Sequence, residues 1–303
     1  MTDETLNSEK RGEMPSPPIL HNAGITPARR PIPLNFKPNM PLTHMQIAQA
    51  ATEFIARRAR GEPGPRLPAP CRPADLEDAW QIQQAVSHRL GLPVGGWKAA
   101  LPSPGKLVAA PIYAPTVCRG ADCALPFRPA RHAVRVEPEL AFVLAHDLPA
   151  CAEAYTEAQV NSAVGSVHAA LELCASRYLR HDGLPFAELL ADGLVNSGLW
   201  LGPALAAPEA PDFELAWQVE GEPRQQMPAR HPDGAARAPL YWLVNFLRER
   251  GIGLQAGQTV ITGSYAGVLT LPVGRRVRFD YGALARFEVT FHDPDLGGES
   301  AAD

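Results

Sequence analysis

The fold of this chain turns on residues 134–147, Val134-Arg135-Val136-Glu137-Pro138-Glu139-Leu140-Ala141-Phe142-Val143-Leu144-Ala145-His146-Asp147. Val134, Val136, Leu140, Phe142 and Leu144 recur with a period of two, which marks a half-buried strand. Glu137 and Glu139 share the opposite face with Ala141, Val143 and Ala145, because side chains two apart point the same way. Two carboxylates starting about 7 Å apart, at a rise of roughly 3.3 Å per residue, can converge on one cation. Like charges at the end of an apolar face repel, and burying them costs free energy unless a cation or a shared proton offsets it. A solvated acidic face is the alternative, since most carboxylates are exposed. The apolar neighbours favour a metal site. Pro138 cannot donate a ladder hydrogen bond, which predicts an edge position or a local bulge.

Composition narrows the possibilities. The 303 residues can hold one large domain or two small ones, and 46% hydrophobic with 20% charged residues is ordinary for a globule with a core. A net charge of −4 without a basic block argues against nucleic acid or an anionic membrane as the main partner. No apolar run is long enough to span a bilayer, and the N-terminus lacks the pattern of a secretory signal, so a cytoplasmic protein is expected. The five cysteines, Cys71, Cys118, Cys123, Cys151 and Cys174, form no dense framework and no zinc pattern. Reduced, structural thiols are expected.

Residues 1–41 carry eight prolines and almost no apolar periodicity, so they predict a disordered tail. Met40 and Met45 stand immediately before the first periodic element and offer alternative starts. A helical N-terminal region over 42–95 follows. Thr43 caps a helix running to about Arg60, with Ile47, Ala51, Phe54, Ile55 and Ala59 inward and Gly61 as its stop. A second helix, from about Ala74 to Leu90, carries Leu76, Ala79, Trp80, Gln83 and Val86 as its stripe; no role is assigned to Gln83 or Gln84. Trp97 and Lys98 then emerge from a glycine pair into a loop of small residues and proline. A lone loop lysine is usually solvated, but Trp97, Ala99, Ala100 and Leu101 argue for a lined pocket. A desolvated lysine has a lowered pKa and can act as acid or base.

Thr156 and Gln159 form a capping-box signature for a helix carrying Val160, Ala163, Val164, Val167, Ala170 and Leu171, with Glu172 at its C-terminal end. That is a poor place for an anion, and a metal site would explain it; a frayed, exposed helix end is the simpler reading of this residue alone. Asp192 to Gly198 read as a polar turn into a short strand, Leu199 to Gly202. A helix over Pro239 to Arg250 precedes strands at Thr259–Thr262, Val268–Leu271, Arg276–Asp280 and Ala285–Phe291. The glycines at 251, 253 and 257 follow a helix instead of linking a strand to one, which excludes a dinucleotide loop. Helices followed by many strands define an α+β or mainly β fold without internal repeats.

Taken together, Val136-Glu-Pro-Glu-Leu-Ala-Phe142, His168-Ala-Ala-Leu-Glu172 with Ser176-Arg177, Gly257 to Gly263, Gly96-Trp-Lys98 and Ala79-Trp-Gln-Ile-Gln83 resemble the 2-keto-4-pentenoate hydratases of the fumarylacetoacetate hydrolase superfamily. The similarity runs from about Thr43 to Phe291. It implies an α+β fold with a mixed β-roll as a catalytic domain over 96–292, a flexible tail at 293–303 and a homo-oligomer. It also implies Mg²⁺ or Mn²⁺ on Glu137, Glu139 and Glu172, with Lys98 moving protons or holding the enolate oxygen. Ser103, Asp192, Asn196, Thr262 and Ser264 match polar positions near the substrate. That substrate would be a small 2-hydroxydienoic acid or its 2-keto tautomer, hydrated during breakdown of aromatic compounds. Two departures bear on the chemistry. Ala100-Leu101-Pro102-Ser103 replaces the Gly-Leu-Thr-Ser of many hydratases, and Leu107 to Pro111 contains no acid where they carry an aspartate. Loss of an acid/base favours decarboxylation of a 2-oxo-enoate, which needs mainly the metal as electron sink. Acylpyruvate hydrolysis is a further alternative, and a non-catalytic binding or assembly protein is the alternative from another class.

Overall fold

A computed structural model describes residues 40–207 and 209–294. The tail expected over 1–41 and the one over 293–303 lie outside these residues except at Met40, Pro41, Asp293 and Pro294. The chain opens with α1 (His44–Arg60), capped by Thr43 in a reciprocal box with Gln46 and closed by Gly61 at φ +64°. Helix α2 (Leu76–Leu90) starts on Asp75 and packs on α1 through Ala50, Phe54, Ile82 and Val86. Both helices match the sequence reading closely. Gln83 is buried and donates through Nε2 to the Ala109 carbonyl at 3.2 Å and the Leu190 carbonyl at 2.5 Å, tying α2 to the sheet beneath it.

Next come β1 (Val94–Ser103), β2 (Lys106–Tyr113), β3 (Val117–Arg119), β4 (Asp122–Ala124) and β5 (Ala133–Leu144). They are followed by α3 (Glu157–Ala163), β6 (Val164–Cys174), α4 (Phe186–Ala191) and β7 (Asn196–Ala204). The remainder is β8 (Asp212–Val219), β9 (Gln225–Arg230), α5 (Ala238–Glu249), β10 (Thr259–Ile261), β11 (Leu269–Pro272), β12 (Arg276–Tyr281) and β13 (Arg286–His292). Among the described residues the strands form two sheets. One runs β2-β1-β10-β5-β6-β7-β3 with β11 also paired to β5, and the other runs β4-β13-β12-β8-β9. Parallel pairs (β1 with β10, β3 with β7) sit among antiparallel ones, so the larger sheet is mixed.

The alternation in β5 decides how the layers stack. Val134, Val136, Leu140 and Phe142 enter the main core with Leu171 and Leu173 of β6, and the second sheet covers them. Each such burial contributes about 1.5–3 kcal/mol relative to exposure. Trp200 against Phe287, with ring centroids 4.7 Å apart, and the Tyr281 hydroxyl donating to the Ala170 carbonyl at 3.0 Å join the sheets. The other face of the large sheet gathers Ile112, Ala141, Ala170, Leu199, Leu201 and Ile261 into a small apolar cluster. Glu137 and Glu139 continue that face on β5.

Four expectations are corrected here. Lys98 lies on strand β1, not on a loop, because Gly96 lets β1 approach β10: a Cβ there would sit 2.2 Å from the Thr259 carbonyl oxygen. The helix begun by Thr156 ends at Ala163, and Glu172 stands on a strand. Val164, Val167 and Leu171 fit a period of two as well as 3.6, and pairing with β5 and β7 on both sides selects the strand. Pro138 is neither on a sheet edge nor in a bulge. It lies where β5 changes partner from β11, which pairs with Ala133 to Val136, to β10, which pairs with Ala141 to Val143. Its missing N–H faces that gap, where the Pro138 carbonyl accepts from the Tyr265 amide at 2.9 Å. Cys118 and Cys123 form a disulfide, against the expectation of reduced thiols; the turn between β3 and β4 brings their Cα atoms to 5.7 Å. Cys71, Cys151 and Cys174 are free.

Candidate active site

Antiparallel pairing sets Glu137 directly opposite Glu172, and Glu139 opposite Ala170. Directly opposed residues hold their Cβ atoms about 4.5–5.5 Å apart, so the two carboxylates meet on the inner face. A carboxylate oxygen of Glu137, one of Glu172 and the Cys174 Sγ all lie within 4.8 Å of one another. Glu139 joins from the next position on β5, and its Oε2 accepts from the Gly263 amide at 2.7 Å. Lys98 enters from β1, where Trp97 is buried in the main core against Trp80 and leaves its neighbour on the opposite face, toward the glutamates. The Lys98 Nζ donates to Glu172 Oε1 at 2.7 Å and to the Leu194 carbonyl at 3.3 Å. Asn196 Nδ2 donates to the same Oε1 at 2.9 Å. Glu172 Oε2 is buried and has no hydrogen-bond partner.

Three acids and one lysine leave this pocket short of positive charge. Burial first, then Glu172, pushes the Glu137 carboxyl up to about 7, with Lys98 acting in the opposite direction. Burial and the two neighbouring carboxylates raise Glu139 well above its ordinary range. Burial alone would lower Lys98, as the sequence reading expected, but Glu172 and then Glu137 outweigh it and hold the ammonium above its usual value. Lys98 is therefore a stable cation here. A buried, unpartnered carboxylate oxygen beside two more acids fits a hard divalent cation. Cys174 does not fit as its ligand: burial keeps the thiol neutral, and a thiol suits softer metals.

The other sequence candidates divide. Asn196 touches Glu172 directly. Asp192 is buried and engaged by Arg177, whose Nε donates to Oδ1 at 2.5 Å and whose backbone amide donates to Oδ2 at 3.1 Å. It anchors the turn that presents Leu194 and Asn196. Thr262 is buried next to Gly263, and Ser264 donates to the Gly267 carbonyl at 2.8 Å. Ser103 is exposed five residues beyond Lys98, about 16 Å along the strand at its ordinary rise. Opposite Lys98 on β2 stands Ala110, so the strand pairing brings no acid to the lysine.

The sequence reading passed over His231. Its Nδ1 accepts from the Asp233 amide at 3.1 Å, which leaves Nε2–H to donate to the Thr262 carbonyl at 3.1 Å. The ring thus steadies the backbone that delivers the Gly263 amide to Glu139. The His-Pro-Asp-Gly run, a turn signal around a buried histidine, is the trace it leaves in the sequence. A cavity of about 480 Å³ adjoins the cluster at Cys174 and extends toward α1, past Arg135, Ser197, Tyr113 and Arg58. The glutamates themselves do not line it.

Residues 93–293 match the family model described as fumarylacetoacetate (FAA) hydrolase C-terminal, and the chain belongs to that family. Among solved structures it is similar to 4-oxalocrotonate decarboxylase from Pseudomonas putida G7 complexed with magnesium and adipate. The TM-score is 0.62 at 17% identity, over 84% of this chain and 100% of that one. The same enzyme complexed with calcium and acetate matches at 18% identity with the same TM-score and coverage. The 2-hydroxyhepta-2,4-diene-1,7-dioate isomerase from Mycobacterium marinum is similar at a TM-score of 0.45 and 16% identity, over 69% of this chain and 78% of that one. At these identities the likeness concerns the fold. None of the described helices is long and apolar enough to cross a membrane.

Proposed function

We propose that this chain is a divalent-metal-dependent hydratase of 2-hydroxydienoic acids, acting through their 2-keto tautomers, with Glu137, Glu139 and Glu172 as the metal ligands. The observation that carries the reading is Glu172 Oε2, buried without a partner beside the Glu137 carboxylate, with Glu139 near enough for both to act on it. The magnesium and calcium in the decarboxylase structures are consistent with a cation of this kind, Mg²⁺ or Mn²⁺. Bound there, the cation would supply Lewis-acid stabilisation to an enolate formed from a chelating 2-keto acid. Asn196 orients Glu172 by donating to Oε1. Lys98, held as an ammonium by Glu172 and the Leu194 carbonyl, places a fixed positive charge, with one of its three N–H donors left free, where negative charge gathers on the substrate oxygen. Ser264 and Thr262 on the crossing segment, and Ser103 further off, remain part of the proposed substrate surroundings.

One observation favours a second reading. With Ala110 opposite Lys98 there is no second acid/base on that side, and decarboxylation of a 2-oxo-enoate makes less demand for one. Incubating the protein with 2-hydroxydienoates and Mg²⁺ or Mn²⁺ separates the two. Loss of dienol absorbance without CO₂ supports hydration, CO₂ release supports decarboxylation, and no turnover with either metal returns the chain to a binding role. Cytoplasmic placement and homo-oligomeric assembly belong to the same proposal. The Cys118–Cys123 disulfide counts against the first, since such bonds are rare in that compartment.

A further inference from the structure

Cys174 has no part in the reaction proposed above, yet it stands among the groups that carry it. It follows Glu172 by two residues on β6, so both side chains leave the same face of the strand, and Glu137 lies opposite Glu172 on β5. One oxygen of each glutamate and the Cys174 Sγ form a triangle whose corners are all within 4.8 Å of one another. Bonds of about 2.3 Å to sulfur and 2.0–2.2 Å to oxygen reach one tetrahedral ion from these positions once the side chains draw in by roughly 1 Å. Glu139 stands outside this triangle, with its Oε2 committed to the Gly263 amide at 2.7 Å. Glu172 is fully buried and its Oε2 has no partner, so a costly bare acceptor is already in place. Cys174 also lines the cavity of about 480 Å³ that the glutamates do not line, which sets the thiol between that space and the acids. The other free thiols are elsewhere: Cys71 is buried in the packing of α1 on α2, and Cys151 is exposed.

We propose that Cys174 gives the cluster a second binding mode, in which a thiophilic cation such as Zn²⁺ or Cd²⁺ binds Glu137, Glu172 and Cys174 and shuts out the hard ion. This rests on reading the three glutamates as the hard ion's site. Two ligands are common to both modes, so the two ions compete for one place. The third ligand separates them: Glu139 serves an ion that prefers oxygen, and sulfur serves one that prefers thiolate. The thiol binds as thiolate, its proton passing to solvent. A thiophilic metal then switches the site off without disturbing the fold around it.

The test is a Co²⁺ titration of the full metal-free chain, kept free of oxygen and of thiol reductants so that Cys118–Cys123 stays closed. Wild type should develop a sulfur-to-cobalt charge-transfer band. Cys151→Ser and Glu139→Gln should keep that band, while Cys174→Ser and the apolar Cys174→Val should both lose it. Mn²⁺ affinity, read from the magnetic resonance of the free ion, should run the other way: nearly unchanged in the Cys174 variants and weakened in Glu139→Gln. Zn²⁺ should expel bound Mn²⁺ from wild type at about a tenth or less of the concentration that Cys174→Ser requires, since even an outer partner of a metal site is worth about 10–100-fold in affinity. Absence of the band from wild type at saturating Co²⁺ overturns the proposal, and so does a band that survives in both Cys174 variants. The hard-ion reading fails separately: a band dependent on Cys174 in a chain that binds no Mn²⁺ would leave the thiophilic site and remove the hard ion from the cluster.

Discussion

At Glu172 one oxygen receives both Lys98 and Asn196 while the other, equally buried, receives nothing. Lys98 thus neutralises the cluster only from one side, and two substitutions separate its role from that of the acids. Lys98→Met removes the charge and keeps much of the stem, so metal affinity should be retained or rise while turnover falls by roughly 10²-fold or more. Glu139→Gln should weaken metal binding first, and excess Mg²⁺ should restore part of the activity by mass action. Steady-state kinetics against metal concentration distinguishes them, and wild-type turnover in Lys98→Met would end the assigned role. Glu137 adds a pH dependence. Its folded-state value of about 7 lies above the ordinary 4.5, so in metal-free protein its proton is held more tightly folded than unfolded. Its contribution to stability is full below about 4.5 and is lost as pH rises through about 7. Metal must displace that proton, and the one that Glu139 also holds more tightly than usual, so apparent affinity should climb with pH through about 7. Titrations of Mn²⁺ binding from pH 5.5 to 8.5 would read this directly, and a flat profile would refute it. The Glu-x-Glu pair was legible because alternation shows a face within one strand. The Lys98–Glu172 pairing was not, because 74 residues separate the partners and strand pairing leaves no local trace.

Strand β6 shows why a residue can be chosen correctly on an incorrect element. Its apolar positions satisfy both periods, and the capping box upstream is real, but it starts a helix of only seven residues. Only the flanking strands decide the conformation, and they are distant in sequence. Helices α1 and α2 were readable to within two residues because caps, stripe and glycine stop are all local. Pro138 carried real information, a missing donor, although the gap between β10 and β11 that it fits was beyond sequence reach. The segment crossing that gap ties Tyr265 to Pro138 and Gly263 to Glu139, and His231 holds its start at Thr262. His231→Ala should therefore lower metal affinity by about 10-fold or more, as loss of an outer hydrogen bond does in other metal sites, with a smaller change in turnover at saturating metal. Unchanged Mn²⁺ affinity in a folded variant would make the histidine a core residue and nothing more.

Across the whole molecule, two helices lie first in the chain and strands predominate after them, with three further helices between, an order that pointed to an α+β or mainly β fold. What order could not give was the division into two sheets, since β4 joins β13 and β3 joins β7 across long separations. The N-terminal boundary is where sequence and structure can be tested together. The eight prolines and scant apolar periodicity of residues 1–41 predict that their removal leaves melting temperature and activity nearly unchanged. The first structural debt falls one residue later. The Leu42 amide donates to Asp78 Oδ1 at 2.9 Å, and Thr43 closes its box with Gln46. A deletion extended through Gln46 removes that hydrogen bond and the cap, about 1 kcal/mol each. Melting should then fall by several degrees, at roughly 2–4 °C per kcal/mol for a domain of this size. Differential scanning calorimetry on the two truncations provides the comparison. If the shorter deletion destabilises the protein as much as the longer one, residues before Leu42 pack on the domain and the boundary read from composition is misplaced.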